Sequence, residues 1–351
     1  MLNLSFFKGK KIFITGHTGF KGSWLTYILY LSGAKLAGYS LRPKNKFDNF
    51  YLLKLDKKVK NYYADVRNKK ILESKIKKFK PDIVFHLAAQ PLVKESYQNP
   101  EFTFSTNILG TLNILEIVRK INSIKSAIII TSDKCYKNYE KKSGYSEKDE
   151  LGGEDPYSAS KAAAENVFFS YQKSYFANRI NLGLVSVRAG NVIGGGDWSN
   201  DRIIPDLIKS IINKNKFVIR SPKSTRPWQN IFDLLNGYLI LARKAYANNK
   251  YNGSWNFGPN HSHVTVKEVI LRLIKILKIN KKIFFKVDKK IKETGLLSLK
   301  THKSKTKLEW QTKISLNQSL NIIAEWYLCY MNDKKNIEEL SKQQVEKFFY
   351  D

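Results

Sequence analysis

The chain has 351 residues, with 61 Lys and Arg against 30 Asp and Glu, and a formal net charge of +31. This length permits a large buried core in one large or two smaller domains. Such a charge can indicate nucleic-acid binding, but the lysines are spread along the chain without a long basic tail, zinc-finger or homeodomain pattern, so we expect a lysine-rich surface that attracts a small anionic substrate and no nucleic acid.

The cysteine content and the hydropathy pattern exclude two further classes of protein. Cys135 and Cys329 are the two cysteines, and they lie far apart in the sequence, so no disulfide framework is implied. No stretch is long or apolar enough to cross a membrane, and no signal peptide opens the sequence. We therefore expect a protein of the reducing cytoplasm without a membrane partner.

The first predicted elements are a strand, a glycine-rich turn and a helix. The strand covers Lys11–Thr15, the helix runs from Ser23 to about Leu31, and the seven residues between them read GHTGFKG. Gly16 and Gly19 permit a tight turn and close approach of a pyrophosphate, and Gly22 permits the helix to pack on the strand. Because glycine turns also end ordinary strands, this GxxGxxG spacing indicates a dinucleotide site without establishing one.

The second and third predicted strands would end beside the adenosine half of such a cofactor. Lys35–Leu41 ends at Ser40 and Arg42, where an acid normally contacts the ribose of NAD. An arginine there could instead contact a 2′-phosphate, so the choice between NAD and NADP stays open. Asn61–Val66 ends at Asp65, which could bind adenine or cap the next helix.

The fourth and fifth predicted strands lead to polar residues at their carboxyl ends. Pro81–Gln90 is predicted as a strand and a small-residue turn, with His86 packed at the strand end rather than catalytic. Apolar residues at near-helical spacing predict a helix over Asn107–Lys120. Ala127–Thr131 is the fifth strand, and it delivers Ser132–Lys134 to the edge where α/β sheets bind ligands. The alternation of strands and helices through residue 187 predicts a doubly wound parallel sheet.

A YxxxK pattern follows this strand. Asp155 is a plausible helix N-cap, Pro156 fits the first turn, and Tyr157 and Lys161 are four residues apart and so share a helix face. A cation beside a phenol lowers its pKa and makes it a usable base toward a sugar hydroxyl. The alternative for a bare pattern of this kind is an amphipathic helix with a solvated lysine, and the neighbouring motifs favour the catalytic interpretation.

Beyond Arg188 the sequence changes character. A glycine-rich loop covers residues 189–198, and Arg202, Arg220 and Arg226 follow among Gly, Pro, Asn and Trp residues. Arginine binds phosphate through two parallel hydrogen bonds. Any one of these arginines could serve solubility alone, but the three together favour a nucleotide site.

Taken in order, these motifs resemble the extended short-chain dehydrogenase/reductases and, within them, the CDP-glucose 4,6-dehydratases. The resemblance runs from about Lys8 to Trp326 and rests on ITGHTGFKGSWL, HLAAQPLVKESYQNP, TSDKCY, DPYSASKAAAE, RAGNVIGGGDW, DRIIPD, TRPWQN and WNFGP. The family usually has a His-Glu-Ala-His-Tyr-Leu-like segment around residues 292–297, where this chain reads KETGLL, and an acid where Lys300 stands. This difference concerns the C-terminal wall of the sugar-nucleotide pocket rather than the catalytic core.

The resemblance implies conversion of CDP-glucose to CDP-4-keto-6-deoxyglucose and water. Tyr157 would remove the C4 hydroxyl proton while C4 gives hydride to NAD+, with Lys161 lowering the pKa of Tyr157 and holding the nicotinamide ribose. Ser132 would bond the C4 oxygen. By analogy Asp133 is the acid at C6 and Lys134 the base at C5, before hydride returns to C6. A structural Asp133–Lys134 ion pair is the alternative.

The resemblance also implies the binding residues, which include no metal ligand. The predicted cofactor contacts are Gly16, Thr18, Gly19, Phe20, Gly22, Ser40, Arg42, Asp65, Val66, Leu87, Ala88, Ala89, Gln90, Asn107, Tyr157 and Lys161. The predicted substrate contacts are Gln90, Lys94, Asn191, Arg202, Ile204, Pro205, Arg220 and Arg226.

We expect an α/β fold in which a Rossmann-like doubly wound parallel sheet carries a smaller α/β substrate-binding lobe. Residues 1–187 and about 231–257 would form the NAD-binding domain, and residues 188–230 and 258–351 the nucleotide-sugar lobe. The family pairs the helix near Asn107 and the helix of Tyr157 between subunits, so a homodimer or a dimer of dimers is expected.

Three other functions stay open. A sugar-nucleotide epimerase or reductase on the same scaffold would need only Ser132, Tyr157 and Lys161. A basic nucleic-acid-binding protein could use the fold as a platform, and a regulatory protein could bind the cofactor without catalysis.

Overall fold

The structure is a computed structural model that describes residues 4–43, 45–259, 264–285 and 296–350. In chain order its strands are β1 (Lys11–Thr15), β2 (Lys35–Ser40), β3 (Lys60–Tyr63), β4 (Ile83–His86), β5 (Ser126–Ile130), β6 (Gly183–Ala189), β7 (Val192–Ile193), β8 (Phe217–Ile219), β9 (Gln229–Asn230), β10 (Gly253–Phe257) and β11 (Ile283–Phe285). Its α-helices are α1 (Phe20–Leu31), α2 (Asn49–Leu52), α3 (Leu55–Lys58), α4 (Lys69–Phe79), α5 (Val93–Gln98), α6 (Pro100–Phe104), α7 (Gly110–Lys120), α8 (Pro156–Ser174), α9 (Ile203–Ile212), α10 (Ile231–Ala247), α11 (Val266–Leu277), α12 (His302–Leu308), α13 (Leu316–Asn332) and α14 (Ile337–Phe349). Shorter 3₁₀-helices cover Leu4–Phe7, Asp133–Cys135, Asn249–Tyr251 and Lys334–Asn336, and a π-helical turn covers Ser105–Leu109.

The central sheet has seven strands in the order β10-β6-β5-β4-β1-β2-β3, and every neighbouring pair is parallel. Parallel neighbours require long crossovers, which helices supply here. Strand β5 is buried along its whole length because helices cover both faces of the sheet. The predicted Rossmann-like doubly wound sheet is confirmed.

Alternation along the strands creates two apolar cores, one on each face of the sheet. In β1, Ile12 and Ile14 belong to one core and Phe13 to the other, since successive side chains of a strand point to opposite faces. Helix α10 packs against β5 and β6, and β10 then extends the sheet beside β6. The chain therefore returns to the sheet after the glycine-rich loop.

Some predicted element boundaries differ from the structure. Strand β3 ends at Tyr63, before Asp65, because the Asp65 carboxylate accepts hydrogen bonds from the backbone and guanidinium of Arg67 and turns the chain. The N-cap of α4 is Asn68, so Asp65 does not cap that helix. The helix predicted from Asn107 begins in the π-helical turn.

The parallel pair β8–β11 forms a separate two-stranded sheet. Helix α11 ends at Leu277, and β11 follows at Ile283–Phe285. The segment 292–295, in which the sequence departs from the family, lies outside the described residues. None of the helices in the described part of the chain has the length and apolarity that a membrane crossing requires.

Candidate active site

The turn after β5 presents three polar side chains at the carboxyl edge of the sheet. Ser132 caps the short helix Asp133–Cys135: its Oγ accepts a hydrogen bond from the Lys134 backbone N–H at 3.2 Å and donates to Asp133 Oδ1 at 2.9 Å. Ser132 and Asp133 are buried, whereas Lys134 is half-buried. Burial raises the pKa of the Asp133 carboxyl, which favours its protonated form.

Helix α8 places the predicted Tyr–Lys pair opposite this turn. Asp155 caps the helix by accepting a hydrogen bond from the Ser158 backbone N–H at 2.9 Å, and Pro156 occupies the first turn, as the sequence predicted. The Tyr157 side chain is 8% exposed, and the nearby Ser132 side chain opposes the rise in its pKa that burial causes. The arrangement brings the phenol close to the serine that follows β5.

Burial dominates the acid–base character of this pair, which corrects one expectation. It raises the pKa of Tyr157 to about 12, and the cation that opposes the rise is Arg202, not Lys161. Burial also lowers the pKa of Lys161 to about 7, and the nearby charge of Lys21 adds to this decrease. In the protein alone, Lys161 therefore does not turn Tyr157 into a ready phenolate.

A buried ion pair fixes α8 against the sheet. Glu165 accepts from Arg188 of β6 at 2.7 Å and from Ser186 at 2.9 Å, and its other oxygen accepts from Thr131, which precedes Ser132. Because Glu165 stands one turn after Lys161, this network fixes the catalytic helix relative to the β5 turn. Removing one partner of such a buried pair typically costs about 3–5 kcal/mol of stability.

The turn after β5 and the first turn of α8 line one cavity of about 360 Å³. The cavity contains most of the predicted catalytic and substrate residues, namely Ser132, Asp133, Lys134, Tyr157, Lys94, Asn191, Arg202, Ile204, Pro205, Arg220 and Arg226, together with Phe20. Lys161 is buried and is not among the residues that line the cavity.

Carboxylates hold several of the cavity cations in place. Arg202 donates to Asp197 Oδ2 at 2.8 Å, and Asp201 Oδ1 lies 3.0 Å from the Arg220 guanidinium and 3.5 Å from Lys94 Nζ. The Arg226 guanidinium donates to the carbonyl oxygen of Thr225. The cavity therefore presents fixed positive charge, as binding of a diphosphate requires.

Sequence reasoning missed two residues that shape the catalytic end. Lys21, in the first turn of α1, lines the cavity; burial and Arg202 lower its pKa to about 8, opposed by Asp133 and Asp197. A Cβ on Gly190 would lie 2.8 Å from Asp133 Oδ2, so glycine leaves room for that carboxylate. A lysine in a helix's first turn opposes the helix dipole, and that signal could have identified Lys21.

The glycine turn after β1 fits a dinucleotide pyrophosphate. Gly16 has φ +73°, and a Cβ there would clash with the Ala88 backbone, while a Cβ on Gly22 would strike the Gly16 carbonyl. A Cβ on Gly19 would meet one atom only, the Gly16 oxygen at 3.5 Å, so the turn is open above it. His17 points inward instead, and burial lowers its pKa to about 4.

The end of β2 offers neutral contacts beside this turn. Ser40 Oγ and Thr18 Oγ1 are 2.8 Å apart, and the Arg42 guanidinium stacks on the Tyr63 ring at 4.2 Å from its centre. The Asp65 carboxylate forms an ion pair with the Arg67 guanidinium, and Val66 is buried.

In the turn after β4, the small residues are partly exposed, whereas Gln90 is buried. Residues 87–89 are half-buried, which leaves backbone for a cofactor to contact. The Gln90 amide donates to Leu92 and Thr103 and accepts from the Leu92 N–H, so its side chain does not provide the predicted ligand contact. Asn107 bonds the Gln90 backbone and Ser160, joining this turn to α8.

Comparisons with known proteins agree with this geometry. Residues 13–323 match the model of the family described as GDP-mannose 4,6 dehydratase. A CDP-glucose 4,6-dehydratase of Salmonella typhimurium is 40% identical over 337 residues, which cover 94% of each chain.

The solved structures support the fold. A dTDP-glucose 4,6-dehydratase of Bacillus anthracis in complex with NAD has a TM-score of 0.77 at 23% identity, covering 93% of this chain and 98% of that one. A UDP-glucose 4-epimerase of Thermotoga maritima has a TM-score of 0.80 at 22% identity, covering 92% of this chain and 100% of that one.

Proposed function

The chain belongs to the GDP-mannose 4,6 dehydratase family, and from that premise we propose that it is a NAD-dependent hydro-lyase that converts CDP-glucose to CDP-4-keto-6-deoxyglucose and water. One observation carries the proposal beyond the family: Ser132, Asp133, Lys134 and Tyr157 line a single cavity. That cavity joins a base for oxidation to an acid and a base for elimination.

The first half-reaction oxidises C4 of the glucose. Tyr157 takes the C4 hydroxyl proton, and Ser132, which lies close enough to lower the pKa of Tyr157, orients the C4 oxygen. Bound NAD+ would supply the hydride acceptor for C4 and the hydride source for C6, and its positive charge would favour the phenolate form of Tyr157. Lys161 lies one helical turn from Tyr157, where it can hold the nicotinamide ribose.

The second half-reaction removes water across C5 and C6. The 4-ketone acidifies the C5 hydrogen, Lys134 takes that proton, and Asp133 protonates the departing C6 hydroxyl, which leaves as water. When hydride is added at C6, the Lys134 ammonium returns a proton to C5, which completes the 6-deoxy product. The raised pKa of Asp133 supports its role as an acid. In the described part of the chain, the Asp133 carboxylate bonds Ser132 and forms no ion pair with Lys134, which disfavours the structural alternative.

We further propose that the cofactor lies along the turns after β1, β2 and β4, and that the nucleotide sugar lies in the cavity. The N-terminal sheet with α10 and β10 then forms the cofactor domain, and the rest of the chain forms the substrate lobe. The absence of a membrane-spanning helix among the described residues and the two free cysteines are consistent with a cytoplasmic enzyme.

A direct test is incubation with CDP-, dTDP-, UDP- and GDP-glucose in the presence of NAD+. We expect the 4-keto-6-deoxy product and water from CDP-glucose. An epimerase on the same scaffold would release no water and would invert C4 instead, and that result would favour the first of the alternative functions.

NAD+ is expected to bind more tightly than NADP+. The Ser40 and Thr18 hydroxyls suit ribose hydroxyls, and the Arg42 guanidinium is already stacked on Tyr63. Isothermal titration with both cofactors measures the preference, and Arg42→Ala serves as the matched variant. Tighter binding of NADP+ that the variant loses would show that Arg42 reads a 2′-phosphate.

We propose a homodimer built on α7 and α8. The π-helical turn that precedes α7 and helix α8 itself both leave apolar side chains in solvent, with Leu109 47% and Phe169 58% exposed, although the neighbouring Phe168 of α8 packs into the core. Such a helix has a second apolar face that a partner can cover.

Sedimentation at micromolar concentration is expected to show a dimer, or a dimer of dimers. Phe169→Lys should weaken the association, whereas Tyr175→Lys, at the end of α8, serves as the matched control. A wild-type monomer at this concentration would contradict the proposal.

A further inference from the structure

One carboxylate in the substrate cavity has no partner. Asp206 lies in the first turn of α9, four residues after Arg202, and both side chains line the cavity. Among the described residues, the Asp206 carboxylate makes no hydrogen bond and no ion pair. The other cavity carboxylates are bonded: Asp133 to Ser132, Asp155 to Ser158, Asp197 to Arg202, and Asp201 to Arg220 and Lys94.

Asp206 is half-buried, so its carboxylate is partly removed from solvent. Burial raises the pKa of Asp206 to about 6, so the carboxyl is still mostly ionised at pH 7.5. A partly desolvated carboxylate without hydrogen bonds loses free energy that a donor on a ligand can restore. The nearest positive charges, Lys209 and Arg220, are bonded to Asn200 and Asp201.

Tyr157, Asp133 and Lys134 are not among the charges that act most strongly on Asp206. Arg202 lowers the pKa of Tyr157, whereas the charges that act on Asp206 are those of Lys209, Asp201, Arg220 and Asp197. Four residues of helix advance about 6 Å along its axis, so Asp206 lies one turn beyond Arg202.

That end of the cavity suits a flat base. Ile204 and Pro205, which directly precede Asp206 in α9, line the cavity with apolar side chains, as do Val218 and Ile219 of β8, which packs against α9. With glucose at Tyr157 and the diphosphate at the arginines, the base of the nucleotide occupies this end.

We infer that Asp206 selects cytosine by accepting a hydrogen bond from its exocyclic amino group. Cytosine presents this N4 amino donor where thymine presents the O4 acceptor, and uracil shares that O4, so a carboxylate attracts the first and repels the other two. The inference rests on the proposed function, because the base position follows from glucose at Tyr157. It assigns the nucleotide specificity to one side chain.

Other donors that these nucleotides offer to a carboxylate are the ribose hydroxyls and, in uracil and thymine, the N3–H. The ribose hydroxyls are shared by CDP- and UDP-glucose, so a ribose contact at Asp206 would affect both substrates alike, whereas an N3–H contact would favour UDP-glucose in wild type. A cytosine contact would instead change the ratio of kcat/KM between CDP-glucose and UDP-glucose. This difference distinguishes a cytosine contact from a ribose contact.

The experiment compares kcat/KM for CDP-glucose and UDP-glucose in wild type and Asp206→Asn. The asparagine amide has nearly the same shape and can donate to O4 of uracil. We expect the preference for CDP-glucose over UDP-glucose to fall by about 5- to 150-fold, the range that one good base contact supplies. Asp201→Asn is the matched control, because Asp201 contacts the cations Lys94 and Arg220, which face the diphosphate that both substrates share. This variant should change kcat/KM for both substrates by the same factor.

Binding of CDP and UDP by titration calorimetry gives the same comparison without catalysis, and Asp206→Ala repeats it if the asparagine variant folds poorly. An unchanged ratio, or equal losses for both nucleotides, would overturn the inference. Wild type that makes no 4-keto product from CDP-glucose, yet still prefers CDP to UDP in the titration, would overturn the proposed function and leave the base contact standing.

Discussion

Tyr157→Phe is expected to abolish reduction of NAD+ on mixing with CDP-glucose. Tyr157 is the one proposed base for the C4 hydroxyl, and its ring is buried beside Ser132, so phenylalanine fills the same space without the hydroxyl. Loss of a general base typically costs about 10²–10⁴ in rate. Stopped-flow absorbance at the NADH band measures the step, and substrate titration verifies that binding is retained.

Tyr238→Phe is the matched control for this prediction. Burial and the nearby Tyr157 raise the pKa of Tyr238, and its hydroxyl has no hydrogen-bond partner among the described residues. Removing that hydroxyl should leave NADH formation unchanged. A Tyr157→Phe enzyme that still reduces NAD+ at the wild-type rate would exclude Tyr157 as the base.

Lys134→Ala is expected to separate the two half-reactions. Tyr157 handles the first proton, whereas Lys134 is proposed to take only the C5 proton, so the variant should still form NADH but stall before elimination. The loss in turnover should again be about 10²–10⁴-fold. Exchange of the C5 hydrogen with solvent deuterium, followed by NMR, should slow by the same factor.

Lys137→Ala provides the matched control, because Lys137 lies three residues further on and pairs with Glu150 at the surface. It should leave turnover and C5 exchange unchanged. Normal turnover in Lys134→Ala would make Lys134 structural. A Lys134→Ala enzyme that binds both ligands but forms no NADH would assign the lysine to oxidation.

The local motifs made much of this fold predictable from the sequence. The strand Lys11–Thr15 and its glycine turn, and the cap Asp155 before Pro156, depend on neighbours within a few residues. Short-range patterns of apolar residues also predicted which segments are strands and which are helices. The alternation of the two then predicted a parallel sheet.

Contacts between distant segments were not predictable in this way. The ion pair between Asp201 and Lys94 depends on how the loop before α9 meets α5 in space, and the spacing of the two residues in the sequence does not indicate it. The motif around Gln90 predicted a ligand contact, but the side-chain amide of Gln90 hydrogen-bonds to the backbone of Leu92 in the same turn.

Burial explains the failed expectation about Tyr157. The spacing of Tyr157 and Lys161 predicted an attractive charge pair, but in this structure desolvation opposes charge on both groups. Sequence shows which groups share a helix face, whereas their exposure depends on the complete fold. Arg202, which lowers the pKa of Tyr157, and Lys21, which lowers that of Lys161, come from other elements.

The central claim is that hydride moves from C4 to C6 within one bound substrate, with loss of the C6 hydroxyl and no net reduction. CDP-glucose carrying deuterium at C4 tests this directly. NMR and mass spectrometry of the product should find the deuterium on the C6 methyl of CDP-4-keto-6-deoxyglucose. Deuterium that stays at C4 of an epimerised CDP-sugar, or that is absent from a product retaining its C6 hydroxyl, would contradict the account.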